Sequence, residues 1–330
     1  MKQVFKKKRF LFAGVMLLIF LIMLSACGNQ EGNNAAEKEK QTKTEEATTQ
    51  TFKMANGKEV KIPTHPKRVV MPYEFLGNAL ALGVKPIAVT NPLLKNPYIT
   101  EDQMKGIENV GNPISLEKVA ELKPDLIIVY LDDQYEQLSK IAPTVVIPFG
   151  HYKGIQEEMR VFGDVLGKKE KAENWIKQFD KKAAAAREKL HGVIGKNETV
   201  GIYELSGKDF VVFGSNFGRA GQIIYNALQL TPPKKTNKEV IEGPQQWKTI
   251  SLEALPSYEA DHMFWTVYRT EGTDQIEKEM KNSAIWKNLK AVKNNHLYKM
   301  KLEDVWFTDA ISLEHQLDLV VDTLLSHNKK

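Results

Sequence analysis

The chain has 330 residues, 46 Lys and Arg against 41 Asp and Glu, and one cysteine. That length suits about two domains, and a single cysteine excludes an intramolecular disulfide or a zinc site built on paired cysteines. A net charge of +5 suggests a nucleic-acid partner only if the excess lies on a folded surface.

It does not. Lys2, Lys6, Lys7, Lys8 and Arg9 are the only charged residues before Glu31, and an apolar run over 10–24 follows, ending in Ser25, Ala26 and Cys27. A basic start, an apolar stretch and small residues before a cleavage point predict an export signal over residues 1–26. Without those cations residues 27–330 are formally neutral, which removes the case for nucleic acid. The run is short of the roughly 20 residues of a membrane span, and no later stretch is long and apolar enough. Residues 28–50 lack Phe, Trp, Tyr, Leu, Ile and Val. Such a segment cannot offset its ordering entropy, so 27–50 is expected to be a flexible tether.

Order is expected from about Thr51. Over 51–167 the pattern predicts strands at 68–71, 86–90, 125–130 and 144–148, alternating with helices at 74–82, 117–121, 135–141 and 155–166. Residues 168–190 hold no Gly or Pro and include four consecutive alanines. They predict one helix about 34 Å long, and 168–191 is expected to connect two bodies. Over 192–330 the alternation restarts, with strands at 199–204, 210–213 and 297–300 and helices at 221–228, 285–290 and 312–325. A helix-plus-strand unit spans 252–268. The fold class is α/β, mostly parallel, in two lobes: 51–167 and 192–330.

The sequence ISLE occurs at 114–117 and again at 250–253, and an Asp follows eight residues after each Glu, at 125 and 261. Ser115 and Ser251 suit N-caps. Glu117 and Glu253 fall in the first helical turn, where the helix dipole favours a carboxylate. Two exposed carboxylates on separate lobes would give a paired electrostatic register against a basic partner.

Leu24-Ser25-Ala26-Cys27 resembles the lipobox of bacterial lipoproteins. That resemblance implies that Cys27 carries a diacylglyceryl group (with palmitate-type acylation) and holds the mature protein on the outer face of the cytoplasmic membrane by lipid alone. The paired lobes resemble the class III substrate-binding proteins of bacterial ABC importers. The resemblance implies two Rossmann-like lobes bridged by one long α-helix, a ligand cleft between them, small hinge motion and a monomer. It implies an ABC permease and its ATPase as partners, docked through Glu117 and Glu253.

The stretch 213–221, FGSNFGRAG, resembles the loop of hydroxamate-siderophore binding proteins of Gram-positive bacteria, in which an aromatic-Gly-Arg triplet faces the ligand. Phe217 and Arg219 match it; the usual Trp is Phe here, so no indole N–H is offered. Arg219 would present forked donors to metal-bound oxygens, and Phe217 an apolar wall. By the same resemblance Tyr130, Phe149, Trp306 and Phe307 face ligand. Tyr73, Trp265 and Tyr268 lie near strand C-termini, where open α/β sheets bind ligands. Trp247 is a further rim candidate, and Lys153 and Arg269 are further cations.

The implied ligand is an Fe(III)-siderophore of hydroxamate or mixed hydroxamate/citrate type, with the iron held by its chelator and no cofactor or metal held by the protein. Haem, cobalamin or a catecholate siderophore are the alternatives within the fold. The seven histidines show no HxH, HxxxH or HExxH spacing. There is no GxSxG, GxxxxGK[ST] or strand-following GxGxxG, so no enzyme is expected. A lipid-anchored hydrolase is the distant alternative.

Overall fold

The computed structural model describes residues 48–327; the export signal, Cys27 and the tether up to residue 47 lie outside the described residues. An antiparallel hairpin comes first, β1 (Thr49–Lys53) with β2 (Glu59–Pro63), turned through Gly57 at φ 84°. Pairing therefore begins ahead of the expected onset at Thr51. Backbone bonding to β2 orders this polar, alternately exposed segment, and apolar composition could not have shown it.

The first lobe is an all-parallel sheet of β3 (Val69–Met71), β4 (Ala88–Val89), β5 (Glu108–Asn109), β6 (Leu126–Val129) and β7 (Thr144–Val146). Its order is β5-β4-β3-β6-β7. β3, β6 and β7 are buried at every position, as continuous apolar strands covered on both faces must be.

The second lobe is a mixed sheet of β8 (Val200–Ser206), β9 (Asp209–Phe213), β10 (Trp247–Ile250), β11 (His262–Tyr268) and β12 (Leu297–Lys299). The order is β10-β9-β8-β11-β12. β8, β11 and β12 run parallel, while β9 and β10 are antiparallel additions at one edge. In both sheets the chain leaves the first parallel strand to one side and later returns to the other. This places a crevice at the C-terminal ends of β3 and β6 in one lobe and β8 and β11 in the other.

The joining helix is Lys169–Lys189, 21 residues and about 31 Å. It buries Ala172, Trp175, Ile176, Phe179, Ala183 and Ala186, a single stripe at helical spacing. Trp175 stacks on Phe179 one turn later at 5.0 Å. The closing helix Ala310–His327 does not stay with the second sheet alone. It packs on the helix Leu76–Ala81 of the first lobe, on the joining helix and on the π-helical turn Gln222–Ala227. One core consequently runs through both lobes and the joining helix, while a second covers the outer face of the second sheet. The two faces divide by the strand period: Ile202 and Phe264 enter the shared core, and Tyr203, Met263 and Trp265 the outer one.

The ISLE repeat has a structural counterpart. Asp125 accepts backbone N–H bonds from Lys67 and Arg68, just before β3, at 2.7 and 2.8 Å. Asp261 accepts the N–H and hydroxyl of Thr199, just before β8, at 2.9 and 2.8 Å. Each carboxylate latches the entry of the lobe's first parallel strand to the strand beside it. Among the described residues no helix is long and apolar enough to cross a membrane.

Candidate functional site

The loop after β9 runs along the seam between the lobes. Gly218, Arg219 and Ala220 all have positive φ, at 79°, 54° and 61°. Left-handed backbone at two successive residues with side chains is unfavourable by about 1–2 kcal/mol each, so tertiary contacts must hold it. Two close approaches show how tightly the loop is seated. A Cβ at Gly221 would lie 2.2 Å from the Gly214 carbonyl, and one at Gly218 2.7 Å from the Trp306 carbonyl.

Arg219 is the main tie. Its Nε and Nη2 donate to Glu204 Oε2 and Oε1 of β8 at 2.6 and 2.8 Å, both side chains being almost fully buried. Thr266 Oγ1 of β11 donates to the same carboxylate at 2.9 Å. The guanidinium lies 4.3 Å from the Trp306 ring centre and 4.8 Å from that of Phe213. Tyr268, at the end of β11, stacks on Trp306 at 6.5 Å. The fork expected to meet a ligand is thus largely spent on Glu204; among the described residues only Nη1 is left without a hydrogen-bond partner. Sequence reasoning missed Glu204. Its signal is a lone carboxylate inside the otherwise apolar strand VGIYELS, which must find a buried partner.

Phe217 bridges the lobes. It meets Phe149 of the first lobe edge-on at 5.9 Å, and lies 6.3 Å from Phe213 and 6.4 Å from Trp247 of the second. Phe149 and Trp247 are more than a third exposed, at 38% and 37%. They form an open aromatic surface across the seam, and Trp247 belongs to it. Asn216 pins the loop to the first lobe by donating to the Gly150 carbonyl at 2.8 Å and to that of Tyr152. The Gln222 side chain accepts from Ile155 N at 3.0 Å.

On the first lobe, Tyr73 follows β3 and Tyr130 follows β6, the two strands at its crevice. Tyr73 is buried, accepts from Asn96 N at 3.1 Å and meets Phe307 edge-on at 5.9 Å, so both rings line the seam from beneath. Tyr130 is half-buried beside Phe75. Burial raises the hydroxyl pKa of both tyrosines, and the nearby Glu74 adds to it. Glu74 went unnoticed in the sequence. Burial pushes its carboxyl pKa upward, and its Oε2 is buried without a partner among the described residues.

Trp265 stands apart from this group. It is 1% exposed in the outer core of the second lobe, 5.3 Å from Trp286 and away from the seam. It lies at the middle of β11 and not near its C-terminal end, and strand alternation turns it to the opposite face from Phe264. Arg269 is engaged by Asp274 and Glu277. Lys153 is exposed, two residues before the helix Ile155–Val165. Glu117 and Glu253 are both exposed, each in the first turn of its short helix, Leu116–Glu121 and Leu252–Tyr258. A hydrogen bond from Ser251 lowers the Glu253 pKa.

Comparison with known proteins agrees with this architecture. Residues 69–303 match the periplasmic binding protein family. The Bacillus subtilis iron(3+)-hydroxamate-binding protein YxeB is 39% identical over 328 residues, 98% of this chain and 100% of that protein. A FhuD fold-family protein of Bacillus subtilis, described as a periplasmic binding protein component of a Fep/Fec-like ferrichrome ABC transporter, superposes with a TM-score of 0.72. It is 40% identical, over 83% of this chain and 99% of that one. Staphylococcus aureus FhuD2 with bound ferrioxamine B superposes with a TM-score of 0.70 at 27% identity, over 79% of this chain and 99% of that one. Sequence match, two-lobed architecture and coverage together establish that the chain belongs to the periplasmic binding protein family, a family of binding proteins and not of enzymes.

Proposed function

We propose that this protein is the substrate-binding component of an ABC importer, that it captures an Fe(III)-siderophore of hydroxamate or mixed hydroxamate/citrate type at the seam, and that it delivers the complex to a permease. Lipid attachment at Cys27 would keep it on the outer face of the cytoplasmic membrane, where the importer opens. The names of the relatives support the ligand class.

One observation in this chain carries the choice of hydroxamate: the seam is aromatic and close to charge-balanced. Three singly charged hydroxamates cancel the charge of Fe(III), whereas three doubly charged catecholates leave a trianion. A trianion needs several unpaired cations. Here Arg219 is already neutralised by Glu204, and Arg269 by two carboxylates. A neutral chelate instead matches the surface of Phe149, Phe217 and Trp247, with Nη1 of Arg219 as donor and Glu74 as acceptor for the polar atoms of the linker.

The test is a fluorescence titration with ferric hydroxamates and, in parallel, a ferric catecholate. Saturable quenching of tryptophan by the hydroxamates is expected, with far weaker quenching by the catecholate. Phe149→Ala and Phe217→Ala should each weaken binding about tenfold, the lower end of what burying a phenyl ring contributes. Arg219→Ala should weaken it as well. Absence of saturable quenching by any hydroxamate complex overturns the reading.

A further inference from the structure

Far from the seam, at the N-terminal ends of the parallel strands of the second lobe, three side chains from three strand entries meet. Glu198 lies just before β8, His262 opens β11, and His296 lies just before β12. One ligating atom from each lies within 4.8 Å of the others. His262 Nε2 is 3.0 Å from Glu198 Oε2, and the two imidazoles lie face to face at 4.2 Å.

The outward nitrogens are already engaged. His262 Nδ1 is 3.0 Å from the Tyr298 hydroxyl, and His296 Nδ1 is 3.3 Å from the Asp261 carbonyl. A carbonyl accepts only from N–H, so that contact fixes the proton of His296 on Nδ1 and leaves Nε2 as a lone pair. Metal-bound histidines are held in this way, with the second ring nitrogen anchored by an outer partner that sets tautomer and orientation. His262 is buried, while Glu198 and His296 are half-buried, so the cluster has a fixed floor and an opening to solvent.

We propose that Glu198, His262 and His296 form a binding site for a divalent transition metal, with Zn2+ the best match. Two imidazole nitrogens and one carboxylate oxygen, with a fourth position open to water, are a frequent zinc donor set. Tetrahedral ligands at Zn–N and Zn–O distances of about 2.0–2.1 Å lie about 3.4 Å apart. The Glu198–His262 pair is already that close, and closing the site takes a turn of the half-buried His296 ring out of its stack on His262, so that both in-plane lone pairs meet at one point. The ion would staple the entries of β8, β11 and β12. It would be separate from the seam, because His262 and Tyr268 are the two ends of β11, about 20 Å apart.

The experiment is equilibrium dialysis of the full chain against ZnCl2 after chelator treatment, with CoCl2 as an absorbance probe. One ion per chain is expected, with visible Co2+ bands of tetrahedral intensity and a zinc-dependent rise in the melting midpoint. Glu198→Gln and His296→Asn change half-buried side chains and leave the buried His262 in place. Each should weaken zinc binding at least tenfold and remove the rise in midpoint, with an unchanged circular dichroism spectrum in chelator. If wild type binds no stoichiometric zinc, or if both folded variants bind it as tightly as wild type, the site does not exist.

Discussion

The two lobes share a plan and differ in how they face the seam. Both enter their first parallel strand through an Asp latch, Asp125 or Asp261, and both expose the Glu that ends an ISLE sequence. The first lobe is wholly parallel and presents rings: Tyr73, Tyr130 and Phe149. The second adds two antiparallel strands, and β9 feeds the left-handed loop that carries Arg219 against Glu204. One wall thus depends on packing and the other on a buried charge pair, which makes the second far more sensitive to single changes.

The largest effect should come from breaking that pair. Glu204→Gln leaves the buried guanidinium unpaired and is expected to lower the unfolding free energy by about 3–5 kcal/mol. The double change Glu204→Gln with Arg219→Met should recover part of the loss. Tyr130→Phe, a hydroxyl removed from the half-buried first-lobe wall, should stay within about 0.5 kcal/mol. Denaturant titration of the four proteins measures the contrast. A Glu204→Gln loss no larger than that of Tyr130→Phe would remove the distinction between the walls.

The first lobe has its own buried polar group, placed behind its wall. Glu158 Oε1 accepts from Asn78 at 2.6 Å, and Asn78 Oδ1 accepts from Ala310 N at 2.8 Å, where the closing helix begins. Asp309 sits so close that a Cβ on Gly77 would lie 1.6 Å from its Oδ1. Burial raises the Glu158 pKa to about 7, and burial also raises that of Asp309. A carboxyl whose pKa is higher folded than unfolded contributes stability that is whole below the unfolded value of about 4.5 and is lost as pH rises toward 7. The window spans about 2.5 units, so the loss is at most about 3 kcal/mol. Stability measured from pH 4.5 to 7.5 should therefore fall more in wild type than in Glu158→Gln. Parallel profiles would mean that Glu158 is not held neutral.

Much of this was legible in the sequence, for a physical reason. Strands covered on both faces are unbroken apolar runs, and a helix that joins two bodies lacks breakers, so β6, β11 and Lys169–Lys189 lie within a few residues of expectation. The hairpin of β1 and β2 is polar and held by backbone bonds, so composition hid it. Trp265 was misplaced because β11 runs on to Tyr268, three residues further, and because an apolar run does not say which face a side chain takes, which one residue reverses. Glu204 with Arg219, Asn78 with Ala310, and Glu198 with His262 meet across 15, 232 and 64 residues. Only the folded lobes and the packing of their helices bring these pairs together, and no local spacing encodes them.

The smallest effect on the folded protein, and the one on which the lobes should agree, concerns Glu117 and Glu253. Ser115 caps the helix of Glu117, its hydroxyl accepting from Lys118 N at 3.4 Å, while Ser251 bonds to Glu253 itself. Both carboxylates face solvent with no ion pair among the described residues. Replacing each with Ala should leave the unfolding midpoint and the affinity for ferric hydroxamate unchanged. If the two carboxylates dock the lobes onto a basic permease surface, the double variant should lose uptake in reconstituted vesicles, and each single variant should lose part of it. Binding of wild type to the permease should weaken as salt rises, since exposed charges are screened within about 10 Å at 0.1 M. Normal uptake by the double variant removes the docking role. Loss from one lobe only would show that the ISLE repeat keeps a common backbone plan without a common partner.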